Sequence, residues 1–146
     1  MGKINNVWVF SDSADRYADL LAGARQLGEH VNAVIWDERD VTEVKQADAV
    51  YLLCGKTDKQ RVENYAETFA SLVRKEDSKT LILLAATRRG KGLAAKLSVL
   101  LQSALVNDVT LLERNGDDLY AEHRMYGGLA FGREKVNTPV AVITLR

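Results

Sequence analysis

Apolar positions follow two alternating rhythms over the first hundred residues and a different one afterwards. Val7-Trp8-Val9-Phe10 is a short unbroken apolar run closed by Ser11-Asp12-Ser13, which predicts a buried strand. Tyr17, Leu20, Leu21, Ala24 and Leu27 then recur at helical spacing, and Gly28 stands where a helix C-terminal glycine belongs. Val31 to Trp36 predicts a second strand, and Asp37 to Asp48 a polar loop with at most one turn of helix. Ala49 to Cys54, closed by Gly55, is a third strand; Val62, Tyr65, Ala66, Phe69, Leu72 and Val73 mark a second amphipathic helix. Thr80 to Ala86 is a fourth apolar strand. It runs into a basic, glycine-bearing turn, Thr87-Arg88-Arg89-Gly90-Lys91-Gly92, and a third helix from Leu93 that buries Leu97, Leu100, Leu101 and Ala104.

Strands alternating with helices predict βαβ units and an α/β fold, a doubly wound, mostly parallel sheet. After Asp108 the pattern changes: Val109 to Arg114 and Leu119 to Met125 flank Asn115-Gly116 as a β-hairpin. Thr138-Pro139 introduces a closing strand, Val140 to Leu145. Repeats, low-complexity segments and linkers are absent, so residues 1–146 form a single domain. The chain stops one residue after that strand with no polar tail, which raises the expectation of a truncated protein.

Composition narrows the class. A chain of 146 residues buries about two-thirds of its unfolded surface. Twenty Lys and Arg balance twenty Asp and Glu, which argues against nucleic acid as a partner. The single cysteine, Cys54, precludes an internal disulfide and suits a reducing compartment. No basic-then-apolar leader opens the chain and no apolar run approaches the ~20 residues that span a bilayer, so a cytoplasmic location is expected.

Gly90-Lys91-Gly92-Leu93-Ala94-Ala95 matches the dinucleotide fingerprint between a strand and a helix. It follows the fourth strand instead of the first, however, and its ribose-binding acid is missing: Asp108 precedes the next strand, and Glu113 falls in the hairpin. Arg88, Arg89 and Gly90, with Lys91 and the helix N-terminus, could build an anion or nucleotide corner, or a solvated basic corner; sequence leaves both open. In the first turn, Asp12 and Asp15 repel phosphate, so Ser11, Asp12 or Ser13 is read as a helix N-cap. His30, His123 and Cys54 lack ligand partners at metal spacing, so no metal is expected. Nothing assembles a nucleophile, a base and an orienting group, and no catalytic residue is assigned. Tyr126-Gly127-Gly128 is a second glycine-rich segment, either a bend or a contact region.

One ordered set of motifs is more specific. Val7-Trp8-Val9-Phe10-Ser11-Asp12, Thr87-Arg88-Arg89-Gly90-Lys91 with Leu93-Ala94-Ala95-Lys96-Leu97, Asn107-Asp108-Val109, Met125-Tyr126-Gly127-Gly128-Leu129-Ala130 and Thr138-Pro139-Val140-Ala141-Val142 occur in that order. Together they resemble the amino-terminal domain of electron transfer flavoprotein alpha subunits, most of all the FixB type. The resemblance covers essentially the whole chain. It implies an adenine-nucleotide-hydrolase-like α/β domain that pairs with a beta subunit of similar fold and serves a dehydrogenase indirectly. It also implies a carboxy-terminal domain carrying most of the FAD site, and this sequence ends where that domain starts. The expected role is therefore a platform in an electron carrier, not an enzyme, with FAD in the full-length family protein and none bound by this chain alone. Tyr126, Gly127 and Gly128 are the expected partner contacts, with Arg88 and Arg89 as further polar candidates. The alternative is a stand-alone adenine-nucleotide binder using the Thr87–Gly92 turn.

Overall fold

Runs without polar interruption become strands with both faces covered. In the computed structural model, which describes residues 4–53, 62–75, 79–115, 118–125, 130–136 and 139–146, every residue of β4 (Thr80–Ala85) is buried. So are nearly all of β1 (Ile4–Phe10) and the later part of β2 (Gly28–Ile35). The remaining strands are β3 (Ala49–Leu52), β5 (Ala104–Asn115), β6 (Asp118–Met125), β7 (Ala130–Val136) and β8 (Val140–Leu145). They form one eight-stranded sheet in the order β3-β2-β1-β4-β8-β5-β6-β7. The strands from β3 to β5 in that order are mutually parallel, whereas β6 and β7 pair antiparallel at the far side.

The two-residue alternation of the strands divides the core. Val7, Val9, Val31, Ala33, Leu81, Leu83 and Ile143 face one side, under α1 (Tyr17–Leu27). Trp8, Phe10, Val34, Ile82, Leu84 and Val142 face the other, under α2 (Ala66–Arg74) and α3 (Arg88–Leu101). Trp8 lies between Tyr51 and Phe69, with ring centroids 5.2 and 6.2 Å away. Tyr17 is buried and donates its hydroxyl to the Val34 carbonyl at 2.7 Å; burial pushes its pKa well above the ordinary tyrosine range. Among the described residues no helix is long and apolar enough to cross a membrane.

Several boundaries differ from the expectation, each for a local reason. Gly28 is extended, with φ −126°, and opens β2 opposite Ile4, so it is no left-handed cap. A Cβ there would overlap Val7 Cγ2, so the glycine serves strand packing. The left-handed cap is Gln102, φ 51°, at the end of α3. That helix starts at Arg88, not Leu93, because Thr87 caps it. Ala104 belongs to β5 instead of the helix. The Asp37–Asp48 segment holds a six-residue 3-10 helix, Glu38–Glu43, capped by the Asp37 side chain. Ser13 precedes the 3-10 turn Ala14–Arg16 as predicted, yet no side chain caps it; its hydroxyl donates to Asp15.

The predicted hairpin is a three-stranded arm. β5 pairs with β8 as far as Val106, shifts register at Asn107-Asp108, and continues from Val109 against β6. The unpredicted β7 completes the arm. Leu119, Ala121 and Val136 are buried on one face. On the other, Arg133 reaches Glu122 at 3.1 Å and Glu113 at 3.4 Å and lies 4.7 Å over Tyr120.

The opposite end of the sheet is fastened by Asp48, which accepts from the Val31 N–H at 2.8 Å and from Arg25 at 2.9 Å. These bonds, the backbone one first, hold its carboxyl below the ordinary range. A folded-state pKa below the unfolded one adds stability that is present above the ordinary carboxylate range and is lost as pH falls below about 4. Chemical denaturation should therefore find Asp48→Ala destabilised at neutral pH, with the gap to wild type narrowing in acid. The glycines give a second contrast. Gly28→Ala should cost about 2 kcal/mol through overpacking. Gly23→Ala, in mid-helix with nothing within 4 Å of the new Cβ, should add ~0.5–1 kcal/mol.

Candidate functional site

In a doubly wound sheet, ligands and partners meet the carboxyl ends of the strands where the winding reverses. Here β2 lies on one side of β1 and β4 on the other, so the reversal falls between β1 and β4. Two segments converge there: Ser11-Asp12-Ser13 after β1, and Ala86-Thr87 leading into α3.

Thr87 links them. Its hydroxyl oxygen accepts from the Gly90 N–H at 3.0 Å, forming the N-cap, and donates to the Asp12 carboxylate at 2.6 Å. The Lys91 N–H bonds the Thr87 carbonyl at 2.9 Å. Gly90 is buried, and a Cβ on it would collide with the carbonyl oxygen of Ala85 at the end of β4. Glycine is required at position 90 because the helix packs on the strand end, not because backbone wraps a phosphate. The supposed turn is thus the first turn of α3, with the carboxylate of Asp12, from the segment after β1, at its positive end.

Arg88, Arg89 and Lys91 diverge from this point. Arg88 and Arg89 are exposed, and Arg89 stands 3.8 Å from Glu63. Lys91 grips both oxygens of Asp108 at 2.7 Å. Asp108 has φ 56° at the β5 register shift; its N–H donates to Thr144 Oγ1 at 2.9 Å, and that hydroxyl donates to Asn107 at 3.0 Å. Thr144 is fully buried, so the shift is locked by satisfied polar groups. Arg16 reaches the Leu145 carbonyl at 3.0 Å from the other face.

Beside Asp12, a cavity of about 260 Å³ is lined by Ser11, Trp36, Asp37, Arg39 and Asp40. Its one cation, Arg39, is already paired to Asp37 at 2.7 Å. Three carboxylates around one paired guanidinium disfavour a phosphate. Among the described residues no cluster of three or more metal-ligating side chains occurs.

Of the sequence candidates, Arg88, Arg89 and Gly90 are consecutive on α3, with the arginines outward and Gly90 inward. Tyr126, Gly127 and Gly128, like Cys54, lie outside the described residues. Sequence reading missed Thr87 and the Lys91–Asp108 pair. A cap rule applied to the threonine after the apolar run would have found Thr87. Removing the cap with Thr87→Val should lower stability by about 1–2 kcal/mol, with Thr87→Ser near wild type. Gly90→Ala should cost about 3 kcal/mol. Thermal or denaturant melts check both.

The sequence model described as the electron transfer flavoprotein domain matches residues 11–146. The putative electron transfer flavoprotein subunit YdiR of Escherichia coli K12 is 48% identical over 147 residues, covering 99% of this chain and 47% of that protein. Protein FixB of Salmonella typhimurium LT2 is 42% identical, and that of Escherichia coli O1:K1 39%, over the same shares. The chain spans about half the length of the curated relatives it matches.

Proposed function

The chain belongs to the electron transfer flavoprotein domain family, and from that premise we propose that it is the amino-terminal platform domain of an alpha subunit in a flavin-based electron carrier. The flavin, when bound by the complete carrier, supplies the redox chemistry, taking electrons from a dehydrogenase and passing them on. This domain's own residues bind and orient: they hold a beta subunit and leave the flavin to other parts of the carrier. A cytoplasmic location accords with this role.

The observation that carries the reading is the Asp12–Thr87 contact at 2.6 Å. The corner where a dinucleotide's pyrophosphate would need free N–H groups and positive potential has Thr87 on the Gly90 N–H and an acid beside it. The residues present do not fit a flavin dinucleotide or an adenine nucleotide, and we assign neither to this chain. Arg88 and Arg89, exposed at the rim of that corner, are suited to carboxylates on a partner surface instead.

Calorimetric titration with the beta subunit of the same carrier tests the proposal. Binding is expected, weakened at least ten-fold in an Arg88→Glu/Arg89→Glu double variant that retains its far-UV circular dichroism. Failure of the wild-type chain to bind would overturn the platform reading. So would a flavin absorbance spectrum at one equivalent from the purified chain alone.

A further inference from the structure

α2 and α3 cover one face of the sheet, and their outer surface is itself incompletely covered. Between them runs a groove of about 630 Å³ whose apolar lining includes Ala66, Ala95, Val99 and Leu100. Val99 is 76% exposed, against 48% or less for every other exposed large hydrophobic residue described. An aliphatic side chain so placed at the mouth of an apolar groove is costly in water and cheap in an interface.

The walls of the groove carry opposite charge. Glu67 on α2 and Glu63 in the 3-10 turn Val62–Tyr65 that precedes it line one side, and Lys96 lines the side of α3. Glu63 stands 3.8 Å from Arg89, with one carboxylate oxygen buried and without a hydrogen bond. Among the described residues the Glu67 carboxylate and the Lys96 ammonium have no ion-pair partner, although both are exposed on adjoining helices. An acidic wall on one helix and a basic one on its neighbour make a face that complements itself. Rotated by a two-fold axis through the groove, the acidic wall of one copy lies over the basic wall of the other, and each Val99 meets the apolar lining opposite.

We propose that the α2–α3 face is an isologous contact between two copies of this chain, with Val99 at its centre and Glu67–Lys96 pairs on either side. The area sets its strength. At ~1.5 Å per residue, α2 and α3 are about 14 and 21 Å long. Such a face offers several hundred Å² per copy, below the ~800 Å² typical of stable complexes. A contact of that size makes the association reversible. It uses the helical layer, not the carboxyl edge, so it stands or falls independently of the platform role.

Sedimentation equilibrium of the chain from about 10 to 500 μM decides the matter. The expected result is a mass rising from monomer towards dimer across that range. Val99→Asp should raise the dissociation constant at least ten-fold while the chain stays folded by far-UV circular dichroism, since the side chain is exposed and a carboxylate in the last turn of α3 costs only about 0.3–1 kcal/mol. Lys96→Glu and Glu67→Lys should each weaken the dimer, and combining them should restore it, which a general change of surface charge would not do. A chain that stays monomeric throughout, leaving the groove to some other occupant, overturns the proposal. So does a dimer indifferent to Val99→Asp and to the charge exchange.

Discussion

The approach of α3 to the end of β4 at Gly90 governs the arrangement of the carboxyl edge. With only hydrogen at Cα, the first turn of the helix settles against the Ala85 carbonyl, closer than any side chain permits. That placement turns Thr87 towards the β1 loop, where Asp12 accepts its hydroxyl, and directs Lys91 along the edge to Asp108. The polar contacts across β1, β4, β8 and β5 thus descend from one steric allowance. A helix N-terminus so close to the sheet is a natural anion site. Here the protein supplies the anion from its own Asp12.

A second constraint divides the sheet. Before Asn107 the strands are parallel, and the central ones, β1, β4 and the later part of β2, are covered by helices on both faces, so their buried stretches are almost wholly apolar. After Asp108 the chain leaves that environment for an antiparallel arm with one wet face. The left-handed Asp108 stores backbone strain at the junction. Its Lys91 pair and the buried Thr144 hydroxyl offset it with charge-assisted and fully satisfied bonds.

These two environments explain what was legible in the sequence. Strands β1, β4 and β8 are readable because each holds an unbroken apolar run of at least four residues, and α1 because its buried residues keep helical spacing to the last turn. Gly28 does end α1 as its spacing predicts, but a glycine after a helix satisfies either a left-handed cap or a close strand contact, and only the position of Val7 decides between them. Arg88 to Gly92 resembled a turn by composition, whereas the cap at Thr87 and the packing at Gly90 make it helical. β7 escaped notice because an edge strand carrying Arg133, Glu134 and Lys135 shows no apolar alternation. Asp12 with Thr87, 75 residues apart, and Lys91 with Asp108 are tertiary pairings that local pattern cannot supply.

The carboxyl edge is closed by the protein's own side chains, Asp12 on Thr87 and Lys91 on Asp108, and we propose that it serves contact instead of cofactor binding. Titration of the isotopically labelled chain with AMP and with FAD, followed through the amide resonances of Asp12, Thr87 and Gly90, tests it most directly. Those resonances should stay in place up to millimolar ligand. Saturable shifts at micromolar concentration, centred on the first turn of α3, would contradict the account.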